Sequence, residues 1–183
     1  MSNPLRILTV LDRHLKEPAE LTLFGRSAIA LGYGQVSPQF HNTQDVDGIL
    51  PIHWLASGQT HDDFWRAVQD TNVELESDGL YLTHLFREID VILQPDWLDR
   101  RVKLTLPLKM LVVYRPATID LVLTKMARAD EDDLADIAFL LQQENITRLQ
   151  LQSAFNRARI PDVPEIEQLF QKAQPKVLAL ARE

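Results

Sequence analysis

Leu5, Leu8, Leu11 and Leu15 recur at helical spacing between Pro4 and Lys16, which predicts an opening helix that Pro18 ends. "ELTLFG" then reads as a short strand stopping at Gly25, and "RSAIALGYG" as a short helix closed by Gly32 and Gly34. "QVSPQFHN" is loop-like, and "DVDGILPI" is extended up to the limit set by Pro51. From His61 to Glu76, Phe64, Trp65 and Val68 mark one side of a helix whose start is favoured by Asp62 and Asp63; it is expected to be a crossover helix. Three extended runs follow, "LYLTHLF", "EIDVIL" and "LKMLVVY", with "QPDWLDR" as a loop between the last two. From Pro116 onward the pattern is helical, punctuated by Pro161 and Pro164, with Pro175 expected to break or kink the final segment. The pattern predicts strands mixed with helices in front and helices behind.

Composition narrows the class. A chain of 183 residues with 45% hydrophobic content can bury a sizeable core and is near the size of one domain. It has no cysteine, so neither disulfides nor thiolate metal sites are expected. "MSNPLRILTVLDRHL" lacks the features of a signal peptide, and no apolar run reaches the roughly 18 residues of a membrane helix, so a cytoplasmic protein without a membrane partner is expected. A net charge of -7 argues against an extended surface for duplex DNA. A local basic patch built from Arg26, Arg115, Lys125 and Arg128 remains compatible with it.

The candidate chemistry starts at "NTQDVDGIL". Strand side chains alternate, so Asp45 and Asp47 share a face and Val46 points the other way. Two carboxylates held that close repel, and a divalent cation compensates because carboxylate oxygens are its hard ligands. In "REIDVIL", Glu88 and Asp90 would share a face in the same manner, and a third carboxylate from such a neighbouring strand would complete a metal site. The plain alternative is a turn with both acids solvated. Upstream, Gly25, Arg26 and Ser27 stand between a strand and a helix, where backbone N–H groups and a hydroxyl can meet phosphate; Ser27 is equally suited to cap the helix.

The order of "FGRSA", "HNTQDVDGIL" and a later acidic segment resembles the nucleotidyltransferase superfamily that includes DNA polymerase beta, and within it the small bacterial proteins related to the AbiEii toxin. A second block is similar to that branch: "LTKMARADEDDLADIAFLL" supplies Lys125, Arg128, Asp133 and Asp136. Arg26 stands where that pattern has a second glycine or a serine, and His41 where it has an arginine. The resemblance covers Leu21 to Leu141 and implies an α+β fold. A small mixed-sheet core over 1–118 would be flanked by helices, with a helical extension over 119–183 packed on it. It implies Mg²⁺, or Mn²⁺, held by Asp45, Asp47 and Asp90, with Asp90 preferred to Glu88. Gly25, Arg26, Ser27 and Arg128 would bind the nucleotide phosphates, and Lys125 would join Asp45, Asp47 and Asp90 as catalytic residues. The implied reaction moves NMP from an NTP to a hydroxyl on RNA, such as tRNA, or on protein. Its implied setting is the toxin of a toxin–antitoxin pair, with a cognate protein partner. The alternative is an inactive member of the fold acting as a protein-binding antitoxin or regulatory module.

Other residues carry less. His14, His53, His61 and His84 show no metal-ligand spacing and read as ordinary histidines. Trp54, Trp65 and Trp97 read as packing residues, and "ADEDDLAD" as a solvated acidic helix start. Lys125 and Arg128 have the same plain alternative, an exposed helix face with local ion pairs. Walker, G-x-S-x-G and G-x-G-x-x-G motifs do not occur.

Overall fold

A computed structural model describes residues 1–182 and divides them into two compact units. The first comprises Met1–Arg87 and Val102–Arg115; the second comprises Glu88–Arg101 and the chain from Pro116 onward. Glu183, the last residue of the expected helical tail, lies outside the described residues.

In the first unit the chain runs α1 (Asn3–His14), β1 (Ala19–Phe24), α2 (Gly25–Gly32), α3 (Pro38–His41), β2 (Asp45–Leu50), α4 (Ile52–Leu55), α5 (Asp62–Leu75), β3 (Tyr81–Arg87), β4 (Val102–Lys103) and β5 (Leu111–Arg115). The short α3 falls in the segment expected to be loop, where Pro38 starts it and Phe40 buries its ring. The strands form one mixed sheet in the order β3-β2-β1-β5-β4. Strands β2 and β3 are parallel, as are β1 and β5, whereas β1 and β2 are antiparallel. As the pattern predicts, α5 is the crossover between the parallel β2 and β3, the connection that parallel neighbours require.

Helix α1 buries Ile7, Leu8 and Leu11. Its Asp12 carboxylate reaches the start of β5 and accepts the backbone N–H groups of Lys109, Met110 and Leu111 at 2.7–3.1 Å. Helix α5 buries Phe64, Ala67, Thr71 and Leu75. Trp65 is exposed, so the buried stripe is not the Phe64–Trp65–Val68 side but the i, i+3, i+7, i+11 positions.

The second unit holds α6 (Thr118–Lys125), α7 (Glu131–Gln143), α8 (Arg148–Arg157) and α9 (Pro164–Leu180). These helices pack through Leu121, Leu123, Ile137, Leu140, Leu151, Phe170 and Val177, with Phe155 set edge-on to Phe170 at 5.8 Å. A capping box formed by Thr147 and Gln150 starts α8. Pro175 does not break α9. It sits on the exposed face, where the carbonyl it leaves without an N–H partner can meet water.

"EIDVIL" is not a strand. Glu88–Asp90 form a single 3₁₀ turn, and Val91 to Gln94 are buried without alternation. Distant partners take the place of a ladder: Leu93 exchanges backbone hydrogen bonds with Arg159, and the Gln94 N–H donates to Asp120 at 2.8 Å. The architecture is α+β, a small mixed sheet with flanking helices and a helical C-terminal segment. Among the described residues, no helix is long and apolar enough to cross a membrane.

Candidate active site

Alternation along β2 puts Asp45 and Asp47 half-buried on one face and Val46 fully buried on the other. Gly48 follows where space is tight: a Cβ there would come within 2.7 Å of Leu21 Cδ1 and 2.9 Å of Leu85 Cδ2, so both leucines would have to shift. Asp47 pairs across the antiparallel ladder with Phe24, the last residue of β1. The chain then turns at Gly25 with φ +65°, the left-handed region that glycine enters without strain. This turn brings the first residue of α2 beside the acid, since a Cβ on Gly25 would stand 3.4 Å from Asp47 Oδ2.

The other side of β2 supplies the third group. Val46 pairs with Leu82 and Gly48 with Leu85, so two residues of β3, Thr83 and His84, stand opposite Asp47 alone. This is a β-bulge, and it re-aims a side chain as bulges commonly do. His84 Nδ1 lies 3.0 Å from Asp47 Oδ1 and 3.1 Å from Thr83 Oγ1. Its ring stacks on Phe86 at 5.6 Å, and Phe86 meets Phe24 edge-on at 5.7 Å. On the far acid, the Thr43 hydroxyl donates to Asp45 Oδ1 at 2.8 Å.

Asp45, Asp47 and His84 each offer a ligand atom within 4.8 Å of the others. Burial, and then the neighbouring Asp45 charge, push the Asp47 carboxyl above its ordinary range, against the lowering effect of His84. A dication relieves both causes at once, and two carboxylate oxygens with an imidazole nitrogen are an established donor set for one. The residues therefore fit a divalent metal.

The remaining sequence-predicted residues stand as follows. Ser27 neither caps α2 nor lies open to solvent: it is buried in the first turn, and its hydroxyl donates to the Phe24 carbonyl at 3.0 Å. Arg26 is half-buried beside it. Asp90 is exposed on the 3₁₀ turn of the second unit, and Glu88 accepts the Trp97 indole N–H at 2.7 Å. Lys125 is buried and donates to Asp136 at 2.7 Å and to Asp133 at 3.2 Å. Arg128 grips Asp133 through two nitrogens and also pairs with Asp130. The run "ADEDDLAD" is thus no plain solvated helix start: Asp130 caps α7, while Asp133 and Asp136 are buried against Lys125. Arg115 is buried too, with its guanidinium 4.3 Å over the Tyr33 ring. The basic patch envisaged from Arg26, Arg115, Lys125 and Arg128 therefore loses two of its members to the interior.

His84 was invisible among the other histidines, because no periodicity in the sequence announces a bulge. His14 and His61 have ordinary partners, Glu74 for the first and the stacked Trp54 ring for the second.

A family described as "Nucleotidyltransferase of unknown function (DUF6036)" matches residues 7–152, most of the chain. That match supports the nucleotidyltransferase superfamily without singling out the AbiEii-toxin-like branch. No curated protein and no solved structure matches.

Proposed function

The chain belongs to this nucleotidyltransferase family, and from that premise we propose that it transfers NMP from an NTP to a hydroxyl on a protein acceptor. The observation that carries the proposal is the Asp45–Asp47 pair, held on one strand face beside the Gly25 turn at the start of α2. A bound Mg²⁺ or Mn²⁺ supplies charge neutralisation for the triphosphate and the departing pyrophosphate. Asp45 and Asp47 hold that ion, and the first turn of α2, with Arg26, receives phosphate oxygens at its N–H groups. The acceptor oxygen bonds to the α-phosphorus as the bond to pyrophosphate breaks, and the hydroxyl proton passes to solvent. A protein acceptor is favoured over tRNA because the net charge is -7 and two of the four candidate patch residues, Arg115 and Lys125, are buried.

The test is Mg²⁺- or Mn²⁺-dependent transfer of label from each α-labelled NTP to mixed cellular protein and, separately, to RNA. Label is expected in protein and absent with Asp45→Asn; label in RNA instead moves the acceptor. Asp90→Asn and Lys125→Ala in the same assay read out the roles that the sequence resemblance implies for those residues. In the implied toxin role, expression of the wild type arrests bacterial growth and expression of Asp45→Asn does not.

One observation favours an inactive, protein-binding member of the fold instead. Lys125, the lysine that the resemblance implies among the catalytic residues, is already engaged by Asp133 and Asp136. Wild-type protein giving no label with all four NTPs selects that reading.

A further inference from the structure

We infer that His84 is a direct nitrogen ligand of the metal held by Asp45 and Asp47, so that the site takes a first-row transition dication in preference to Mg²⁺. The inference rests on the metal-binding part of the function proposed above and is independent of whether nucleotide is transferred.

Three observations converge on the imidazole. The bulge in β3 sets Thr83 and His84 against the single residue Asp47, and this register places Nδ1 3.0 Å from an Asp47 oxygen. The ring is oriented by its stack on Phe86, although the side chain is 61% exposed. An exposed histidine ordinarily samples several rotamers; this one is held in place by an aromatic neighbour that is itself seated against Phe24. The ligand atoms of all three residues then fall within 4.8 Å of one another, with no side chain between elements needing to move far to meet one ion.

The donor set has a chemical consequence. Mg²⁺ is hard, keeps its waters and takes oxygen ligands at strict octahedral positions. An imidazole nitrogen gains little from it. Transition dications bind imidazole well, and replacing one carboxylate by histidine also removes a negative charge that Mg²⁺ depends on more heavily than they do. A site of two aspartates and one histidine therefore discriminates by ligand softness, where an all-carboxylate site would not.

Mn²⁺ alone, without nucleotide, is the probe, because its unpaired electrons report bound nitrogen. Pulsed electron paramagnetic resonance of the Mn²⁺-loaded full chain is expected to show ¹⁴N coupling from one imidazole. His84→Ala should lose that coupling and bind Mn²⁺ about tenfold or more weakly. His84→Asp, which restores an all-oxygen set, should keep an ion, lose the coupling and narrow the gap between Mn²⁺ and Mg²⁺ affinities. His84 is exposed, so His84→Ala leaves the core intact, and the thermal midpoint in chelator verifies that both variants fold. Absence of ¹⁴N coupling in the wild type, failure of the wild type to bind Mn²⁺, or unchanged affinities in His84→Ala would each overturn the inference. Coupling without any label transfer leaves the inference standing and removes the proposed activity; transfer with Mg²⁺ and no coupling does the reverse.

Discussion

Asp47 is the residue at which the cost of the site is concentrated. It is half-buried, it faces a second carboxylate, and its pKa is driven upward by burial first and by Asp45 second. Without metal, then, the site opposes folding at neutral pH. Asp47→Asn in metal-free buffer should raise the thermal midpoint of the protein, the behaviour of a functional site held at the expense of stability, while abolishing any stabilisation by added Mn²⁺. Gly48 shows the opposite constraint. A methyl group there meets Leu21 and Leu85, and Gly48→Ala should cost about 1–3 kcal/mol by overpacking, measured as a shift of the denaturant midpoint. The two aspartates and Gly25 were legible in the sequence because strand alternation and a strand-to-helix glycine are local properties. His84 was not, because its place beside Asp47 depends on one extra residue in β3 relative to β2, a fact of pairing that neither strand carries alone.

The elements repeat this division between local and distant causes. Strands β1, β2 and β3 and the crossover α5 follow from periodicity, whereas "EIDVIL" looks like a strand and is not, since the partners of Leu93 and Gln94 are Arg159 and Asp120. Strand β3 is an edge strand, and the amide of Asn72 on α5 occupies both backbone groups of Leu82, donating to its carbonyl at 2.9 Å and accepting its N–H at 2.7 Å. That contact both pins the strand that carries His84 and closes part of an edge on which other chains could pair. Asn72→Ala should destabilise by about 1–3 kcal/mol and speed hydrogen exchange at Leu82, with concentration-dependent association visible by light scattering.

At the scale of the whole molecule, each of the two units is held by its own buried or half-buried carboxylates. In the first, Asp12 joins α1 to the start of β5; burial would raise its pKa, but the N–H donors of Leu111, Lys109 and Met110 outweigh that and lower it. In the second, burial raises the Asp133 pKa, yet the Arg128 hydrogen bond and the Lys125 charge together bring it below its ordinary 3.8. A depressed carboxylate contributes stability above its unfolded pKa and loses it as pH falls through the folded value. Unfolding resistance from these two carboxylates should therefore decline as pH falls below their ordinary 3.8, and Asp133→Asn should flatten that decline. Lys125→Ala leaves Asp133 and Asp136 buried without their ammonium and should cost about 3–5 kcal/mol, so a loss of activity in that variant must be read beside its melting curve. The acidic α7 start and its lysine were visible in sequence as spacing, but burial decided their use, and burial follows from how the helices pack.

Everything functional proposed for this protein depends on Asp45 and Asp47 sharing a bound dication. Calorimetric titration of Mn²⁺ into the metal-free full chain measures that directly. One ion per chain should bind to the wild type, with binding lost in Asp45→Asn and in Asp47→Asn. Absence of binding to the wild type, or equal binding to all three proteins, would contradict the account.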